Sequence, residues 1–177
     1  MQYIDYYNSP LGKILLTADD EGLSGVWFEG EKYFKNALKP GHRRQDLEIF
    51  KQTKKWLDIY FKGQEPDFVP KIHQTGTQFQ KEVWEILKKI PYGKTITYND
   101  IAKEIAKQRG IKKMAAQAVG GAVGHNKAAI IVPCHRVVGA TGNLTVFRGG
   151  IERKIKLLEL EKNDMEKFYI PKKETTL

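Results

Sequence analysis

A single thiol, Cys134, is followed at once by His135 and Arg136, and this triplet is where the chain of 177 residues could do chemistry. A cysteine attacks as its thiolate, and an imidazole or guanidinium beside it eases loss of the proton. The competing reading is inert core, because a free cysteine also behaves as a small apolar side chain. Ile130, Ile131 and Val132 form an apolar run stopped by Pro133, so Cys134 stands at the end of a buried segment, where the chain turns. One cysteine forms no internal disulfide and no multi-thiolate zinc site, and His42, His73, His125 and His135 include no i, i+4 pair. No metal site and no cofactor are expected. Glu161 lies three and four residues after Leu158 and Leu157, on the flank of an apolar helix face, where a carboxylate needs a partner. On the residues alone, an ordinary solvated helix charge remains the other reading.

The elements around these residues suggest an α+β chain in two domains. Apolar runs at Tyr3 to Tyr7, Ile14 to Ala18 and Leu23 to Phe28, with turn residues Asn8, Ser9, Pro10 and Gly12, then Asp19, Asp20 and Gly22 between them, predict a small antiparallel sheet. Leu47, Phe50, Leu57 and Phe61 predict a helix that covers it and ends near Gly63. Gln64 to Gly76, with Pro66 and Pro70, reads as a linker, so the first domain spans 1–75 and the second 76–165, with a basic polar tail over 166–177.

The second domain reads as mainly helical, with a winged or helix-turn-helix-like DNA-binding motif. Phe79, Val83, Ile86 and Ile90 mark one helix, stopped by Pro91 and Gly93; Thr97, with Asp100 three residues on, caps a second that runs through Ile101 and Ile105. A third is expected from about Lys112 to Val123, after Arg109 and Gly110. Two helices joined by a Gly-containing connection suit a motif whose second helix enters a groove of a duplex. Ala115, Ala116, Ala118, Gly120, Gly121 and Ala122 leave that helix nearly bare. Each interior glycine costs about 1 kcal/mol relative to alanine. Either a close approach to a ligand or tight packing against a neighbouring helix offsets that cost.

Charge is unevenly spread. Residues 1–75 carry 11 Lys+Arg and 11 Asp+Glu, so the whole net charge of +9 falls after residue 75. A basic domain beside a neutral one suits a polyanion, and a solvated Lys-rich surface is the plainer alternative. No apolar run of roughly 18 residues occurs to span a membrane, and Met1 to Asp5 do not begin a secretory signal. A cytoplasmic protein is expected.

The string NKAAIIVPCHRV, from Asn126 to Val137, is similar to the active-site signature of the O6-alkylguanine-DNA alkyltransferases. GTQFQKEVWEILKKIPYGKTITYNDIA (76–102), AVGGAVGHN (118–126) and GNLTVFRGGIERKIKLLELE (142–161) resemble that family's catalytic-domain opening, recognition helix with hinge, and pocket loop with closing helix. The resemblance implies irreversible transfer of an alkyl group from O6 of guanine, and from O4-alkylthymine, to Cys134. The partner would be double-stranded DNA and the protein a monomer. It further implies that His135 activates the thiol through a water, that Glu161 orients His135, that Asn126 is a hinge and that Tyr98 donates to the departing guanine. The carbonyls of Cys134 and Val137 and the amide of Arg148 would read the base. Thr97, Gln117, Ala118, Gly121, Arg136 and Phe147 complete the implied DNA-facing and pocket set.

Two departures stand out. Gln117 occupies the place of an arginine that fills the gap left by an extruded nucleotide, which predicts slower or weaker repair of duplex DNA, with Arg109, Lys112 and Lys113 as compensating bases. Phe147 replaces a pocket tyrosine and loses its hydroxyl. A non-catalytic alkyltransferase-like damage binder is the principal alternative. A helix-turn-helix regulator and a cysteine hydrolase rank below it.

Overall fold

The computed structural model describes residues 1–32, 34–145 and 147–171. They form two compact units, one made of 1–75 with 127–131, the other of 76–126 with the chain from Val132 onward. Residues 127–131, which lie within the stretch 76–165 read as the second domain, pack with the first unit. The Val26 amide donates to the Lys127 carbonyl at 2.8 Å, and Val26 pairs with Ala128.

In the first unit β1 (Tyr3–Ser9), β2 (Gly12–Ala18) and β3 (Leu23–Phe28) form the expected antiparallel meander. A fourth strand, β4 (Arg43–Arg44), lies parallel to β1 and gives the order β3-β2-β1-β4. Two exposed arginines carry no apolar alternation, which is why the sequence did not announce it. Helix α1 (Glu48–Phe61) buries Phe50, Thr53, Trp56, Leu57 and Tyr60. The buried stripe ends on Tyr60 rather than Phe61, and Thr53 is accommodated because its hydroxyl donates to the Ile49 carbonyl at 2.7 Å. Part of the expected linker is structured: beside β3 the Leu23 amide donates to the Lys71 carbonyl at 2.8 Å and the His73 amide to the Leu23 carbonyl at 2.7 Å.

The second unit packs α2 (Gln78–Lys88), α3 (Tyr98–Arg109), α4 (Ala116–Gly124) and α5 (Ile151–Leu160). Thr77 and Gln80 close a full capping box on α2, and Thr97 and Asp100 do the same for α3. The Trp84 indole donates to the Ala122 carbonyl at 2.9 Å, tying α2 to α4. Gly110, at φ 66, ends α3 in the left-handed conformation. α4 begins four residues later than the sequence suggested. Lys112 and Lys113 are both exposed, and two cations in a first helical turn oppose the helix dipole. A short parallel pairing of β5 (Ile96–Thr97) with β6 (Val137–Val138) fixes the start of α3 beside the segment that carries the cysteine.

Candidate active site

Two tight turns deliver Cys134. Ile130 has φ 72, and the Ile131 amide donates to the Ala129 carbonyl at 2.8 Å across it. A β-branched residue in that region costs on the order of 1–3 kcal/mol. The second turn is relaxed: Pro133 has φ −81 and ψ 68, and the Cys134 amide donates to the Val132 carbonyl at 2.8 Å, the geometry of an inverse γ-turn. Cys134 then opens a 3₁₀ turn through Arg136, is 7% exposed, and is the single cysteine of the chain.

Behind it sits a buried charged cluster. Glu161 is the C-cap of α5 and only 2% exposed. The next residue, Lys162, adopts φ 65, which reverses the chain and leaves the carboxylate pointing inward. Its Oε2 accepts from His135 Nε2 at 2.6 Å and from an Arg136 terminal nitrogen at 3.1 Å; its Oε1 accepts from Arg136 Nε at 2.8 Å and from the Gly93 amide at 3.1 Å. Burial alone would raise the Glu161 pKa, but the bonds and charges of His135 and Arg136 override it and hold the group down at about 2. Burial pushes the His135 pKa below its ordinary value, against the pull of Glu161. At neutral pH the arrangement is thus a carboxylate, a neutral imidazole and a guanidinium. A carboxylate only accepts, so Nε2 carries the imidazole proton and Nδ1 is the basic nitrogen.

Lys154 is a member the sequence reading missed. It is fully buried in α5 and donates to the Val137 carbonyl at 2.6 Å. Burial lowers its pKa to about 8, with the charge of Cys134 pulling the other way, so the ammonium lies within electrostatic reach of the thiol. A signal was available. Lys154, Leu157, Leu158 and Glu161 follow i, i+3, i+4, i+7, one helix face, and the argument applied to Glu161 covers Lys154 as well.

The remaining expected residues divide. Asn126 is buried and donates from Nδ2 to the Val132 carbonyl at 2.8 Å, across the neck of the 127–131 excursion. The Tyr98 hydroxyl accepts from Thr145 Oγ1 at 3.1 Å, which leaves its own proton for donation. Burial raises the Tyr98 pKa, Thr145 lowers it and the charge of Cys134 raises it further. The Cys134 carbonyl accepts from the Val137 amide and the Val137 carbonyl from Lys154. Phe147 is buried. Arg136, grouped with the DNA-facing residues on sequence, is 8% exposed and directed inward to Glu161 and the Ile90 carbonyl. The Thr97 hydroxyl and amide are both taken by the α3 cap. The Arg148 guanidinium donates to the Gly124 carbonyl at 2.6 Å.

Gln117, Ala118 and Gly121 are exposed on α4. A Cβ built on Gly121 meets nothing within 4 Å, and one on Gly120 would make only ordinary contact with the Tyr98 ring at 3.9 Å. Helix packing therefore does not account for the missing side chain at Gly121. Among the described residues no group of three or more His, Cys, Asp or Glu side chains is placed to hold a metal ion, and no helix is long and apolar enough to cross a membrane.

Residues 78–163 match the DNA-binding domain of 6-O-methylguanine DNA methyltransferase, and residues 2–72 match its ribonuclease-like domain. The chain belongs to the 6-O-methylguanine DNA methyltransferase family. Among its relatives, the methylated-DNA–protein-cysteine methyltransferase of Methanosarcina acetivorans is 44% identical, over 90% of this chain and 97% of that one. The Haemophilus influenzae protein of the same name is 38% identical over 90% and 86%. The crystal structure of Mycobacterium tuberculosis OGT in complex with DNA aligns at a TM-score of 0.78 with 38% identity, covering 94% of each chain. The α+β fold is that of the family.

Proposed function

We propose that this chain repairs DNA by moving the alkyl group of O6-alkylguanine irreversibly onto Cys134, acting once per molecule in the cytoplasm. The observation that carries the reading is the 2.6 Å bond from His135 Nε2 to Glu161 next to the only thiol. That bond directs the basic Nδ1 toward accepting a proton, which reaches it from Cys134 through a water. The thiolate attacks the alkyl carbon in line, a carbon–sulfur bond forms, and the carbon–O6 bond breaks. The electron pair leaves on guanine, where the Tyr98 hydroxyl supplies a proton. Lys154 offsets negative charge on sulfur, and the thioether is stable to water, so no second turnover follows. O4-alkylthymine presents a similar alkyl carbon and belongs to the same substrate class.

The bare face of α4 suits close approach to a duplex, as expected of the second helix of such a pair. The complex of the M. tuberculosis relative with DNA supports this assignment. Extruding the damaged nucleotide costs a few kcal/mol, and Gln117, exposed on α4, is the side chain that would enter the gap.

Intact mass before and after exposure to duplex DNA containing O6-methylguanine tests the reading. The expected gain is one methylene equivalent, absent in Cys134→Ala. An unchanged mass with label retained on the DNA would replace transfer by damage binding.

A further inference from the structure

The recognition helix carries no charge. From Ala116 to Gly124 it holds only Ala, Gln, Val and Gly, yet affinity for a duplex comes largely from neutralising phosphates. The cations have to come from what flanks it. On the C-terminal side the Arg148 guanidinium is directed to the Gly124 carbonyl. On the N-terminal side stand Arg109, Lys112 and Lys113.

The structure separates these three. Arg109 forms a two-pronged bond to Glu82, with Nε to Oε1 at 3.0 Å and a terminal nitrogen to Oε2 at 2.9 Å, and its guanidinium lies 5.3 Å from the centre of the Phe79 ring. It thereby clamps the end of α3 to α2. Gly110 reverses the chain, the Ile111 amide returns to the Ala106 carbonyl at 3.0 Å, and the root of the connection is held. Lys112 and Lys113 follow, both exposed, and among the described residues no carboxylate forms an ion pair with either. Two residues later Ala115 is the N-cap of α4 and offers no side-chain cap, and no acidic residue occupies the first turn. The amides of that turn add a fixed positive potential beside the two ammonium groups.

We infer that Lys112 and Lys113 form a two-phosphate grip for the DNA backbone, held in place by the Arg109–Glu82 clamp, and that Arg109 itself makes no phosphate contact. The inference rests on the DNA-repair reading and assigns the cationic part of its duplex contact. A rooted connection gives up less freedom on binding than a loose one, which favours a grip of only two charges.

The salt dependence of duplex binding tests it. Each lost phosphate contact lowers the slope of log K against log salt concentration by about 0.9. Lys112→Ala/Lys113→Ala should therefore lower the slope by about 1.8 relative to the unsubstituted chain. Arg109→Gln should leave the slope where it was. Lys51→Ala/Lys55→Ala on α1 makes the same change in net charge and should also leave it unaltered. A slope unchanged by removal of the lysine pair, or lowered as much by the α1 pair, overturns the grip; a slope lowered by about one in Arg109→Gln overturns the division of labour. Alkyl uptake by the unsubstituted chain, read by mass in the same samples, keeps the two failures apart. Its absence would defeat the repair reading, while the slopes still decide for or against the grip.

Discussion

In the first unit the side chains taken fully out of water are apolar except for Thr53, among them Ile14, Leu15, Leu16, Phe28, Phe50, Leu57 and Tyr60, and its buried carboxylates, Asp5 and Glu31, are 7 and 8% exposed. Asp5 is met there by Lys54 at 2.7 Å and Arg44 at 3.4 Å, amino and guanidinium groups that themselves reach solvent. In the second unit that depth holds His135 and Lys154 at 0% and Glu161 at 2% exposed, with the Arg136 guanidinium turned in toward Glu161. The first unit uses burial for cohesion. The second accepts the cost of burying charge, which is recovered only if every partner stays in place, and what it gains is a thiol surrounded by groups whose protonation is set by the protein.

The largest effect should come from Glu161→Gln, which leaves Arg136 buried without its counter-charge and His135 without its acceptor. Loss of one partner of such a pair costs about 3–5 kcal/mol. Urea midpoints should show this, and single-turnover alkyl uptake should fall by orders of magnitude; a stable, active variant would erase the contrast between the units. Leu57→Ala should cost about 3 kcal/mol through the cavity it leaves, while the fraction still folded takes up alkyl groups at the original rate. A proportionate fall in that rate would show that the apolar unit also governs the chemistry.

Next in size is the pH dependence of stability. Lys154 has a folded pKa of about 8 against 10.5 for the ordinary side chain. The unfolded chain holds the extra proton between these values, so stability rises as pH rises from about 8 to about 10.5. The gain is about 3 kcal/mol, and Lys154→Met should abolish it in urea titrations. Glu161 acts in the opposite part of the scale. Its pKa is depressed from 4.5 to about 2, so its contribution is present above 4.5 and disappears as pH falls through about 2. The smallest effect separates two equivalent caps. Thr77→Ala and Thr97→Ala should each cost about 1 kcal/mol, but only Thr97→Ala should slow alkyl uptake from DNA, because Tyr98 begins the helix that it caps.

Much of the site was legible because its parts are contiguous or periodic. Pro133 to Arg136 form one string, whereas the place of Glu161 on the flank of the Leu157–Leu158 stripe leaves a solvated charge open, and only the family resemblance selects the buried partner. Lys154 stands on the same stripe and was passed over because lysines there usually extend their ammonium to water. The turns at Ile130 and Pro133 depend on backbone angles that no side-chain pattern announces. The pairing of residues 127–131 with the first unit is remote in sequence and equally silent. On α4, the absence of side chains was visible, but only the open space around Gly121 removed helix packing as its explanation at that position.

That return of the chain to the first unit has a practical corollary. A fragment cut after Thr75 lacks Lys127 and Ala128, to which the backbone of Val26 is joined, and the complementary fragment carries Ala128 to Ile131, all buried in the intact protein, with nothing to cover them. The boundary between the two matched domains therefore does not coincide with a boundary in packing. Expressed alone, the piece bearing the thiol should aggregate more readily than the whole chain, and light scattering with and without the co-expressed first piece checks it.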